Sequence, residues 1–279
     1  MIRITILCDN VVGFPFGIGE HGFSALVEKD HQTILFDTGS GKGLIFNAIT
    51  FGKDLREVER ICLSHGHFDH TEGLAQVLPL MRNPHVYAHP GVFQERFGER
   101  KLGETVVRRF IGIPHRKEYL EHLGARFHLE CDFHEIALEV FLTGEILRET
   151  TFEKGDPNLL IPFGGSLAQD PVLDDQSMVI NTSRGLVVLL GCAHAGIINT
   201  LRHAQRKSGQ ERIRAVLGGT HLGFLPQEHL EQSISELAAM EPELVAVSHC
   251  TGLPAAARLM QSFGERFRFA HVGTSFSFD

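Results

Sequence analysis

The sequence predicts a mixed α/β protein with four layers in one domain over residues 1–279, and two patterns carry that expectation. Short runs rich in Val, Ile, Leu and Phe, each bounded by Gly, Pro, Asp or Asn, alternate with longer segments of helical period. A boundary near residue 130 would leave two halves of similar content, yet each half has too few helices to cover both faces of its own sheet. One four-layer domain resolves that shortage.

Taken in order, MIRITILCDN alternates apolar and polar residues and reads as a strand over 2–8. Strands follow at 23–29 and 33–37, with the Lys29-Asp30-His31-Gln32 junction as a tight turn between them. A helix is expected at 43–51, strands at 60–64 and 85–88, and a helix at 72–82 between those two. Residues 90–125 contain FQERFGERK and RKEYLEHLG, charged stretches that read as a helical, lid-like insertion. Strands resume at 126–130 and 136–142. Residues 151–177 hold Gly and Pro with little periodicity and read as a long ordered loop of the kind that lines sites. Strands at 178–182, 186–191, 213–218 and 244–248 then alternate with helices at 196–207, 227–239 and 253–263.

Composition narrows the function classes. Acidic residues number 34 against 26 basic ones, a formal charge of -8, which speaks against a nucleic-acid partner because phosphate binding needs a basic face. No apolar stretch approaches the roughly 20 residues that cross a bilayer, so no membrane span is expected. The N-terminus lacks the marks of a secretory signal, and the mature protein is expected to begin at residue 1. Five widely spaced cysteines without a CxxC pair argue against a disulfide framework and fit a reducing cytoplasm.

The 17 histidines are the unusual number. Ser64-His65-Gly66-His67-Phe68-Asp69-His70 has the form HxHxDH and sits between a predicted strand and a helix. In an extended loop, side chains two apart share a side, so His65 and His67 can hold one ion while Asp69 and His70 turn toward a second. Imidazole and carboxylate suit zinc, with iron or manganese as options, in one or two ions. Three further histidines follow apolar strands: His194, His221 and His249. A strand that ends in a histidine at a loop is a rigid mount for a ligand, and His194 and His249 are expected to join the metal set. His221 is left between ligand, substrate group and outer support.

These motifs resemble the metallo-β-lactamase superfamily, which implies an αββα sandwich with a metal site at the edge between two sheets. Ile34-Leu35-Phe36-Asp37-Thr38-Gly39 is similar to its first motif, implying that Asp37 orients ligand histidines rather than binding the ion. Within the superfamily the closest pattern is the branch that includes the archaeal 7,8-dihydropterin-6-methyl-4-(β-D-ribofuranosyl)aminobenzene 5'-phosphate synthases and related metal-dependent hydrolases. The matching pieces are CDN at 8–10, EHGFS at 20–24 with His21, SHGHFDHTEGL, LTGEI, DDQS, GCAHAGIINTL, GGTHLGF and SHCTG. One departure stands out. Where many members carry a bridging aspartate, this sequence has Gly191-Cys192-Ala193-His194, so Cys192 is either a thiolate ligand or a buried apolar residue, the latter being the commoner state of free cysteine.

The expected activity is hydrolysis of an ester, amide or phosphoester by metal-bound water, with Asp69 as the catalytic base. Group transfer with release of pyrophosphate is the alternative that the branch implies, and a non-catalytic metal or ligand sensor is a third reading. The expected partner is a small-molecule substrate, phosphorylated in one version. Gly164-Gly165-Ser166 is a weak phosphate cradle, and Arg108, Arg109, Arg116 and Lys117 form a basic stretch whose default reading is a solvated helical face, with phosphate binding as the alternative. His203 and His229 read as surface groups.

Overall fold

A computed structural model describes residues 1–279. The first sheet contains β1 (Ile2–Cys8), β2 (Ser24–Lys29), β3 (Gln32–Phe36), β4 (Arg60–Cys62), β5 (His85–Ala88), β8 (Arg126–Leu129) and β18 (Ser275–Phe278), in the order β18-β1-β2-β3-β4-β5-β8. The second contains β9 (His134–Ala137), β10 (Val140–Leu142), β13 (Met178–Thr182), β14 (Gly185–Leu190), β15 (Ile213–Gly219), β16 (Leu244–Ser248) and β17 (Phe267–Phe269). Its order is β17-β16-β15-β14-β13-β10-β9. Each sheet is antiparallel in one part and parallel in the other, with β3-β4-β5-β8 and β14-β15-β16-β17 parallel.

Period-two alternation builds the layers. Ile2, Ile4 and Ile6 of β1 face Val187 and Leu189 of β14 across one shared core. The opposite face of β14, Leu186, Val188 and Leu190, packs on α5 (Ile197–Ser208), α6 (Gln227–Ala239) and α7 (Gly252–Phe263). On the other side Leu26, Leu35 and Ile61 pack against Leu44 and Ala48 of α1 (Leu44–Thr50). The result is the expected αββα order. The C-terminal β18 pairs with β1, so the end of the chain closes the sheet that its beginning opened.

Three expectations are corrected. Residues 90–125 are not a helical insertion: β6 (Phe97–Leu102) and β7 (Thr105–Phe110) form a hairpin turning at Gly103, and the only α-helix there is α4 (Lys117–His122). Residues 151–177 are not all loop, because β11 (Leu159–Phe163) and β12 (Ser166–Gln169) pair as a second hairpin. β11 joins β6, giving a third sheet of order β12-β11-β6-β7. Gly164-Gly165 is therefore a hairpin turn. The helix expected over 72–82 is broken into α2 (Phe68–Thr71), α3 (Leu74–Val77) and a 3-10 turn at Leu78–Leu80, where Pro79 cannot donate to a continuing helix. No helix is long and apolar enough to cross a membrane.

Candidate metal centre

The candidate site is assembled at the carboxyl ends of parallel strands from both sheets. Asp37 follows β3, Ser64 and His65 follow β4, Cys192 and His194 follow β14, His221 follows β15, and His249 follows β16. Chain direction reverses sharply at these ends. Asp37, Ala193, His221 and His249 are non-glycine residues with φ of 57°, 54°, 55° and 51°. Such left-handed backbone costs energy and persists where surrounding structure enforces it, commonly at functional sites.

The structure brings His65, His67 and His194 together. His65 Nε2 lies 2.9 Å from His67 Nδ1 and 3.2 Å from His194 Nε2. All three rings are buried. Burial pushes His67 down to about 3 and holds His65 and His194 well below the usual imidazole range. Neutral rings have lone pairs to give. Ligands at ~2.0–2.1 Å in a tetrahedron stand about 3.3 Å from one another, so the spacing here fits a single zinc-sized ion.

A second group lies beside it. His70 Nε2 is 3.2 Å from His249 Nε2, and Asp69 Oδ2 is 3.3 Å from His249 Nε2 and 3.1 Å from His21 Nε2. Burial opposes charge on His70, but the Asp37 and Asp69 carboxylates more than offset it and push this ring up to about 9. Cys192 is not buried among apolar side chains: its Sγ lies 3.2 Å from His70 Nε2. His221 packs its ring 4.3 Å from that of His194 and sets Nε2 3.2 Å from Asp156 Oδ2.

Outer contacts hold these rings in place. Asp37 Oδ2 meets His70 Nδ1 at 2.7 Å and accepts from Ser64 Oγ at 2.7 Å, while Oδ1 accepts the Ser64 N–H. Ser64 Oγ also lies 2.8 Å from His65 Nδ1, so one carboxylate governs two imidazoles. Asn10 Oδ1 sits 2.9 Å from His249 Nδ1, and Asp9 accepts the His249 backbone N–H. Gly66 donates its N–H to Asp174 Oδ2. A Cβ at Gly66 would stand 2.1 Å from the Val92 carbonyl oxygen, which is why the HxH pair is spaced by glycine. Asp174 in turn takes two bonds from the buried Arg96, whose Nε reaches Asp170.

Sequence reasoning passed over Arg96, Asp170 and Asp156, whose sites exist only once the third sheet forms. DDQS at 174–177 was the legible trace of that anchor. His203 and His229 are buried rather than superficial, with His203 Nδ1 accepting the Leu147 N–H. His85 and His89 stand apart from the histidine cluster: His85 pairs with His128, and His89 caps the turn at Pro90–Phe93.

Residues 17–136 match the family model described as the metallo-beta-lactamase superfamily. The chain is 31% identical to the 7,8-dihydropterin-6-methyl-4-(beta-D-ribofuranosyl)-aminobenzene-5'-phosphate synthase of Methanocaldococcus jannaschii, over 99% of this chain and 97% of that protein. It belongs to the metallo-beta-lactamase superfamily. A crystallised metal-dependent hydrolase of the same superfamily superposes with a TM-score of 0.83 at 28% identity, each chain fully covered. The Zn2+-bound PqqB of Methylobacterium extorquens shares the fold alone, at a TM-score of 0.58, 12% identity, and 99% and 100% coverage of the two chains. This superfamily member is thus an enzyme of a known architecture, with its polar centre at the strand ends where both sheets meet.

Proposed function

We propose that this chain is a metal-dependent hydrolase acting on a phosphorylated small molecule. The observation that carries the reading is a cavity of about 660 Å³ that joins the histidine cluster to Arg100, Lys101 and Arg109 of the β6–β7 hairpin. None of these three cations has a salt-bridge partner within the protein, whereas neighbouring Arg108 is paired with Glu99. Unpaired cations beside a metal-type donor set are suited to an anionic substrate.

His65, His67 and His194 would hold the first ion, and His70, His249 and Asp69 a second, with zinc the best match to three imidazoles and iron or manganese the others. A bound divalent ion supplies Lewis-acid polarisation and lowers the pKa of a coordinated water from roughly 15.7 to about 7. Asp69 Oδ2 faces the cavity and is the acceptor that orients a nucleophilic water and takes its proton. His21, on the cavity wall and hydrogen-bonded to that oxygen, carries the proton outward. Asp37 and Ser64 keep His65 and His70 in place while this happens, and the hairpin cations hold the anionic end of the substrate.

The relationship to the synthase supports a second reading, transfer of a group to an acceptor with loss of pyrophosphate. The same cations would then hold the departing anion. Incubation of zinc-loaded protein with a panel of phosphoesters, pyrophosphate esters and neutral esters separates these readings. Phosphate release with water alone supports hydrolysis; product formation that requires an amine or aromatic acceptor supports transfer. Equal turnover of neutral and phosphorylated esters, or turnover unchanged by chelation, would overturn the proposal.

A further inference from the structure

We infer that Cys192, His221 and Cys250 form a thiolate-bearing metal position beside the three-histidine cluster, suited to a thiophilic ion of the zinc or iron class. The inference rests on reading this pocket as a metal centre. The three residues follow three successive parallel strands, β14, β15 and β16, and offer one ligand atom each, all within 4.8 Å of one another. All three are buried.

The chain's other buried cysteines provide the contrast. Cys8 and Cys62 belong to the apolar cores on the two faces of the first sheet, where free cysteine acts as a small hydrophobe. Cys192 and Cys250 belong to no apolar cluster and face imidazoles instead. Cys250 Sγ accepts the His221 backbone N–H at 3.2 Å. A Cβ on Gly219 would stand 2.7 Å from that sulfur, so the glycine leaves room for the thiol. His221 has the form of a ligand with its outer support already in place: Nε2 meets Asp156 Oδ2, while the buried Nδ1 has no partner. A carboxylate behind an imidazole fixes the ring for metal binding. Soft sulfur donors favour zinc and iron over magnesium or calcium, which would distinguish this position from an oxygen-rich one.

The test uses the full chain, stripped by chelation and titrated with Co2+ alone, read by electronic absorption and by elemental analysis. The expected result is a thiolate-to-cobalt charge-transfer band in the near ultraviolet. The double variant Cys192→Ala, Cys250→Ala should lose the band together with one equivalent of cobalt, and Cys131→Ser should keep both. If the double variant loses its circular dichroism, the single variants Cys192→Ser and Cys250→Ser decide, each with a weakened band. No band in the wild type at saturating cobalt, or an unchanged band in the cysteine variants, would overturn the inference. His67→Ala separates it from the reading beneath it. Loss of one equivalent with the band retained supports both, and loss of the band as well removes the separate position. Loss of nothing overturns the three-histidine site while the band still judges the thiols.

Discussion

The floor and the roof of the cavity are held by different means. On the floor, His65, His194, His221 and His249 each stand just past a parallel strand that is buried on both faces, and the His249 backbone N–H is held by Asp9, which follows β1 of the other sheet. The roof is β6 and β7, a largely exposed hairpin bound along one edge by β11. A floor built this way holds donor atoms at fixed spacing, which a metal demands. A roof built from long charged side chains on an exposed hairpin can accommodate substrates of varied shape. The difference predicts that floor substitutions abolish function and roof substitutions retune it.

The largest effect should come from His65→Ala or His67→Ala. Either should remove one equivalent of zinc and bring turnover to the level of metal-stripped protein, measured by elemental analysis and phosphate release. A variant that kept its zinc would remove the distinction between floor and roof. Next comes Arg96→Ala, at the joint between them. It leaves Asp170 and Asp174 buried without their partner, a loss of about 3–5 kcal/mol and a fall in Tm of roughly 10 °C. Arg96→Lys should recover only part, because a single ammonium cannot reproduce the forked contacts to two carboxylates. Asp37→Asn should follow, weakening zinc affinity by about 10–100-fold while the fold persists, as read by competition with a chelating dye.

Roof substitutions should be milder. Arg109→Ala is expected to raise KM for a phosphorylated substrate by roughly tenfold with kcat little changed, the signature of lost uniform binding. Unchanged KM would place the anionic end of the substrate elsewhere. The smallest effect belongs to residues inserted between Gly164 and Gly165, an exposed hairpin turn far from any buried contact, where stability should shift by no more than about 0.5 kcal/mol.

The same contrast explains what could be read from the sequence. The floor was legible because its signals are local: HxHxDH occupies six residues, and His194, His221 and His249 each end an apolar run of recognisable period. The four layers followed from the shortage of helices in either half of the chain, and the αββα order from the resemblance to the superfamily. That residues 90–125 border the site was expected, but that they do so as strands was not legible, because the partners of those strands lie far apart in sequence. Phe97 pairs with Leu160, and Glu, Arg and Lys in GERK favour helix when read alone. Two-sided exposure of β6 and β7 erased the apolar alternation that marks a strand. β17 and β18 escaped for a simpler reason, their brevity, although Ser-Phe-Ser-Phe alternates plainly. Cys192 was ambiguous because nothing local shows that His70, 122 residues away, meets its sulfur.

The most direct test of the central claim is anomalous diffraction at the zinc edge from crystals grown with zinc. A peak bonded to His65 Nε2, His67 Nδ1 and His194 Nε2 is the expected result. Zinc found only at other residues, with these three nitrogens unbonded, would contradict it.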